Sequence, residues 1–136
     1  MPFVLDCSMT MAWVFADEAN ESTDALRESL LKDSAVVPVL WPIEVGNVLL
    51  VATRRGRITE DDWPRIRDDL EILPIDVDPE SFGRVLETVL SIAKESELSV
   101  YDAMYLELAL RLGLPLATLD RKLTDAGKAA GVKVLF

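Results

Sequence analysis

Apolar residues in this chain gather in short continuous runs, separated by longer stretches with helical spacing. Pro2–Leu5, Val36–Leu40, Pro74–Val77, Pro115–Leu119 and Val132–Phe136 are β-prone runs bounded by charge or turn signals, which predicts five strands. Between them, Glu80–Lys94 sets Phe82, Val85, Leu86, Val89, Leu90 and Ala93 at i, i+3, i+4, i+7 spacing, the pattern of a helix with one buried face. Trp41–Arg55 reads as a helix with Pro42 at its first position, Glu44 in its first turn and an end near Gly56. Thr59–Leu73 predicts another, burying Trp63, Ile66, Leu70 and Leu73, with Pro64 distorting its opening turns. Tyr101–Leu112 is apolar on nearly all sides and predicts a central, largely buried helix ended by Gly113. Short apolar strands alternating with helices imply a mostly parallel sheet covered on both faces. The expected architecture is therefore α/β, three layers around a central five-stranded sheet.

Composition narrows what such a domain can do. The 136 residues suffice for one domain with a genuine core, and no repeat, low-complexity tract or long linker divides them. Half the residues are apolar and 28% are charged, as in compact soluble proteins. The chain has no histidine, which excludes Ser-His-Asp and Cys-His centres, histidine-ligated zinc or haem, and imidazole acid–base catalysis. Cys7 stands alone, so an intrachain disulfide is impossible and a reducing compartment suits the protein. Met1-Pro2 leads to Asp6 without the basic region or long apolar stretch of a secretory leader. Val36–Ala52 is interrupted by Pro38, Pro42, Glu44 and Asn47, which suits no membrane span, so the reading is a cytoplasmic protein. A formal charge of −10 argues against sequence-blind adhesion to nucleic acid while leaving room for a local site. Any catalysis must run on carboxylates, hydroxyls or lysine.

Four carboxylates, Asp6, Glu44, Asp102 and Asp120, stand where a short apolar run gives way to a helix start. Each has a structural explanation. Asp102 lies three residues after Ser99 in capping-box spacing, Glu44 meets a helix dipole, and Asp6 and Asp120 are positioned to cap the helices that follow them. Their joint placement points elsewhere. In an open parallel sheet the carboxyl ends of all strands share one edge, and such folds bind ligands there. Two carboxylates about 5 Å apart repel by roughly 3 kcal/mol at an effective dielectric near 20, so several such pairs are costly as mere caps. A hard cation such as Mg²⁺ or Mn²⁺ removes that cost, and acids, water and bound ions suffice to hydrolyse a phosphodiester without histidine.

At these residues the chain resembles the PIN-domain ribonucleases, and among them the VapC toxins of toxin–antitoxin modules. FVLDCS is similar to the family's first motif, with a metal-binding acid at Asp6 and a hydroxyl at Ser8. WPIEVGNVLL resembles the second, with Glu44 and Asn47, and LSVYDAMYLELA the third, with Asp102 beside Ala103 and Tyr105. LATLDRKL resembles the fourth, with Thr118 and Asp120. The resemblance spans essentially the whole chain and implies a PIN-like fold formed by residues 1–136 as a single PIN domain. It further implies an Mg²⁺- or Mn²⁺-dependent endoribonuclease that leaves a 5′-phosphate and a 3′-hydroxyl. The enzyme would be a homodimer, neutralised by a cognate antitoxin received in an exposed apolar groove.

On this reading Asp6, Glu44 and Asp102 form the principal metal pocket, and Asp120 completes it or serves a second ion. Ser8 and Thr118 orient carboxylates by hydrogen bonding. Asn47 shares the helix face of Glu44, where it would bond a carboxylate or the scissile phosphate, or merely satisfy backbone near the helix start. Tyr105 is read as core packing. Arg121 and Lys122 adjoin Asp120 and are the candidates for phosphate contact, whereas Arg54, Arg55 and Arg57 sit a helix length from Glu44 and suit a helix C-terminus. A phosphorylation-receiver module also has five parallel strands and an acidic Mg²⁺ pocket, but it would need paired acids after the first strand, where only Asp6 stands. The other alternative is a catalytically silent PIN fold used for protein contacts.

Overall fold

The computed structural model describes all 136 residues. The strands are β1 (Phe3–Leu5), β2 (Ala35–Val37), β3 (Ile75–Val77), β4 (Leu116–Ala117) and β5 (Val134–Leu135). They form one all-parallel sheet in the order β3-β2-β1-β4-β5. Seven α-helices connect and cover it: α1 (Cys7–Val14), α2 (Glu21–Ser29), α3 (Leu40–Arg54), α4 (Trp63–Glu71), α5 (Leu90–Ser96), α6 (Val100–Leu112) and α7 (Arg121–Ala129). The result is the three-layer α/β/α arrangement expected from the alternation of strands and helices. No helix is long and apolar enough to cross a membrane.

The core forms where the middle strands meet the helices. Phe3, Val4 and Leu5 of β1 are all buried, and they share one cluster with Ala35, Val37, Leu116 and Ala117 from neighbouring strands. Onto this cluster α1 brings Met9 and Met11, α3 brings Trp41 and Val45, and α6 brings Tyr105, Leu106 and Leu108. Trp41 Nε1 donates to Thr10 Oγ1 at 2.9 Å, and that hydroxyl donates to the Asp6 carbonyl at 2.8 Å, so the helix carrying Glu44 is hung from the turn carrying Asp6. The α6 helix buries seven consecutive residues, Ala103–Ala109, and ends at Gly113, whose φ of +66° is the left-handed conformation glycine adopts without strain. Gly127 has a different reason: a Cβ there would meet Val134 Cγ2 at 3.0 Å, so its absence lets α7 lie close on β5.

Three sequence expectations are corrected. The run Val36–Leu40 is strand only as far as Val37, because Pro38 ends it and α3 starts at Leu40, ahead of Pro42. Pro42 is thus the third residue of α3 and Glu44 lies in its second turn. The amide of Val39 is satisfied by Ser81 Oγ at 3.1 Å, a contact 42 residues distant that supports this early start. In Glu80–Lys94 a 3₁₀ turn at Phe82–Arg84 and a π turn at Val85–Val89 precede α5. The broad apolar stripe splits there. Val89 and Ala93 pack inward with Met104 of α6, whereas Phe82 and Leu86 are 78% and 83% exposed and Leu90 is half exposed. One neighbouring helix cannot cover both rows. Thr59–Leu73 does open irregularly, as a 3₁₀ turn before α4, with Pro64 near the helix start and Ile66 buried.

Candidate active site

Asp6 follows β1 directly and caps α1, its Oδ1 accepting the Met9 amide at 2.9 Å. The same carboxylate receives the Ser8 hydroxyl at 2.8 and 2.9 Å, and the Thr118 hydroxyl on Oδ2. Both hydroxyls are themselves fixed, since Ser8 Oγ accepts the Leu119 amide at 2.9 Å and Thr118 Oγ1 accepts the Asp120 amide at 3.0 Å. The turn after β4 is thereby tied to the turn after β1, its neighbour in the sheet. Asp6 is 4% exposed. Burial raises its pKa from an ordinary 3.8 to about 6 in spite of those donors, and the charge of Asp102 adds to the rise.

The other acids reach this edge from three helices. Glu44, half-buried on α3, accepts the Tyr105 hydroxyl on Oε1 at 2.5 Å, and its Oε2 has no protein donor. Asp102 is the third residue of α6, and its amide donates to Ser99 Oγ at 3.0 Å. Only this half of the expected capping box forms, so the carboxylate is not turned back onto the Ser99 amide. Asp120 caps α7 through Oδ2, which accepts the Leu123 amide at 2.9 Å, and its Oδ1 is unengaged. Burial raises the pKa of Glu44 and of Asp102. The charge of Asp102 adds to the effect at Glu44, and the charge of Asp120 to that at Asp102. No arginine pairs with any of the four. Lys122, exposed on α7, is the cation that eases Asp102.

Some candidates lie outside this web. Asn47 is exposed on α3, and Arg121 is exposed at the start of α7. Arg57 turns to the far end of α3, pairing with Asp17 at 2.6 Å and Glu18 at 2.9 Å and stacking 3.8 Å above the Phe15 ring. Cys7 adjoins Asp6, but burial first and the charges of Glu44 and Asp6 next push its thiol up to about 12, which leaves it a protonated packing group.

The donor set decides which ion would suit. No three acidic or thiol side chains close into a cage by themselves. Three carboxylates desolvated together, with Glu44 Oε2 and Asp120 Oδ1 open, nonetheless fit a hard cation that keeps several waters and takes only a few protein oxygens. Metals that favour imidazole or thiolate do not fit a chain without histidine whose one thiol is held protonated.

The sequence reading missed two groups. Tyr105 is core, at 1% exposed, but its hydroxyl is spent on Glu44. The available signal was its place three residues after Asp102 on a buried helix, where a phenol needs a partner. The second group is an ion cluster on the other face of α6. Arg111 donates to Asp78 Oδ2 at 2.6 Å and to Glu107 Oε1 at 2.8 Å, and Arg84 reaches Glu107 at 3.7 Å. The spacing of Glu107 and Arg111, four residues apart on one helix, was the legible part.

A PIN domain family model matches residues 3–129. The chain belongs to the PIN-domain family. Over 125 residues this PIN domain is 30% identical to Ribonuclease VapC3 of Pyrobaculum aerophilum, covering 92% of the chain and 94% of that relative. It superposes on the crystal structure of PAE2754 from Pyrobaculum aerophilum with a TM-score of 0.71 and 28% identity, over 99% of this chain and 84% of the other. FitAcB from Neisseria gonorrhoeae shares the PIN domain's fold, with a TM-score of 0.67 and 18% identity, over 100% and 97% of the two chains.

Proposed function

We propose that residues 1–136, as a single PIN domain, are an Mg²⁺- or Mn²⁺-dependent endoribonuclease that serves in the cytoplasm as the toxin of a type II toxin–antitoxin module. One observation carries this reading: Asp6, Glu44 and Asp102 converge on one sheet edge, all three raised chiefly by burial, Asp6 and Glu44 further by the charge of Asp102 and Asp102 by that of Asp120, with no arginine to pair them. The kinship with a VapC ribonuclease supports RNA as substrate. Asp6, Glu44 and Asp102 would hold the cation, with Asp120 completing the set. When bound, Mg²⁺ or Mn²⁺ supplies Lewis-acid activation of water and neutralises charge developing on the phosphodiester. The chain's own residues set the stage. Ser8 and Thr118 fix the Asp6 carboxylate through two hydroxyls that are anchored on backbone amides. Lys122, beside Asp102, and Arg121 offer positive charge to the phosphates flanking the cut.

Two surfaces fit the partners this role requires. Phe82, Leu86 and Leu90 form an exposed apolar row on a segment whose charges, Arg84 and Glu87, balance. A second copy of a chain carrying −10 meets least repulsion there, so this row is the homodimer face. The antitoxin takes the groove of about 430 Å³ between α3 and α4, lined by Trp41, Val45, Leu49, Ile66, Leu70 and Ile75. Six acids against two arginines between Glu60 and Glu71 favour a basic amphipathic segment in that groove.

Purified protein should cut RNA when Mg²⁺ or Mn²⁺ is supplied and stop when EDTA is added. Asp6→Asn and Asp102→Asn should each abolish cleavage in a folded protein, and full activity in both variants would overturn the assignment. Expression should arrest growth, and co-expression of the adjacent gene should relieve the arrest. Normal growth with abundant folded protein would count against the toxin role.

A further inference from the structure

We infer that Tyr105 is the positioning residue for Glu44, holding Oε1 so that Oε2 alone is presented to the site. The inference rests on the ribonuclease reading above and deepens it.

Tyr105 sits in the middle of α6 and its ring is core, yet its hydroxyl reaches the α3 carboxylate at 2.5 Å. Glu44 is the hydroxyl's one side-chain partner, and Tyr105 is the one side chain that donates to Glu44. A glutamate has three rotatable side-chain bonds, and at a half-buried position without a cation it would swing toward water. The phenol prevents this with a single directional bond from a ring that cannot move, because the core packs it on every side. The partners are 61 residues apart, and their bond joins the helix of the second acidic motif to the helix of the third. Tyr105 thus does for Glu44 what Ser8 and Thr118 do for Asp6. In each case neutral hydroxyls with fixed anchors, two at Asp6 and one at Glu44, orient a carboxylate without neutralising it.

Tyr105→Phe removes the hydroxyl and keeps the packing. It should leave thermal unfolding nearly unchanged, lower kcat for a defined RNA about 10- to 100-fold with KM within about twofold, and weaken Mn²⁺ binding measured by calorimetry about tenfold. A packing role alone would move neither kcat nor Mn²⁺ affinity, since phenylalanine fills the same space, and that result overturns the inference. A second variant guards against a fold defect. In a Glu44→Gln background, adding Tyr105→Phe should cost no further activity or Mn²⁺ affinity, whereas additive losses would overturn the positioning role. Wild-type protein that neither binds Mn²⁺ nor cuts RNA overturns the ribonuclease reading and this role with it. Wild-type protein that does both, matched in full by Tyr105→Phe, overturns the role alone.

Discussion

Two groups of acids lie against α6, and they are built on opposite terms. On one face Asp78 and Glu107 are buried with Arg111 between them, and Arg111 also meets Glu80 at 3.1 Å. The guanidinium bonds hold Asp78 below its ordinary pKa, and Arg111 is raised in return. At the sheet edge, Asp6, Glu44 and Asp102 are also withdrawn from water, but they receive only hydroxyls and amides, and all three are pushed upward. Structural acids bring their own cations. The edge acids have no arginine, only the exposed Lys122 near Asp102, and the fold tolerates their desolvation and repulsion instead.

Breaking each group in turn should separate these roles. The largest effect belongs to Asp6→Asn, which should lower RNA cleavage on the order of 10³-fold or more, measured by initial rates on a defined RNA. Arg111→Ala should do the reverse, costing about 3–5 kcal/mol in denaturant unfolding because it strands buried Asp78 and leaves Glu107 only the more distant Arg84, while activity per folded molecule persists.

The pH dependence should also differ in sign. Asp6 binds its proton more tightly folded, with a pKa near 6, than unfolded, near 3.8. Folding stability should therefore decline as pH rises from about 4 to about 6, with up to about 3 kcal/mol from Asp6 in metal-free protein, and Asp6→Asn should remove that share while Glu44 and Asp102 keep theirs. Asp78 shifts downward, so its contribution is present above the unfolded value and is lost as pH falls below it. Urea titrations at stepped pH read both limbs. Smaller effects complete the comparison. Thr118→Val should reduce activity or Mn²⁺ affinity about 10- to 100-fold by removing one of the two hydroxyls that hold Asp6 Oδ2. Lys122→Ala should cost only a few-fold in cleavage rate, and less at high salt, as expected for an exposed charge.

What could be read from the chain follows the range of the forces involved. The five strands and the acids that follow them were legible because short apolar runs and helix-start carboxylates are local patterns. The start of α3 was not, because the Val39 amide is satisfied by Ser81 Oγ from another loop. The inner and outer rows of the Phe82–Ala93 segment look alike in sequence, and it is packing against Ala103 and Met104 of α6 that buries Val89 and leaves Leu86 exposed. At the sheet edge, which residues gather was legible and how they connect was not. Asp6, Ser8, Thr118 and Asp120 could be named, but the relay from the Leu119 and Asp120 amides through two hydroxyls to one carboxylate depends on β1 and β4 being neighbours. Tyr105 shows the same gap, since its place on a buried helix signals that the phenol needs a partner but not that the partner is Glu44, 61 residues away.

The repulsion stored among the edge acids also bears on how such a protein would decay under selection. Replacing Asp6 with the isosteric asparagine should relieve a desolvated charge while keeping an acceptor for Met9, Ser8 and Thr118 and leaving the groove between α3 and α4 and the row at Phe82, Leu86 and Leu90 untouched. On the proposed function, inactivation at this position would run thermodynamically downhill. On that function, a population exposed to an uncontrolled copy should accumulate inert forms that are sturdier than the parent and still able to sequester the proposed partner.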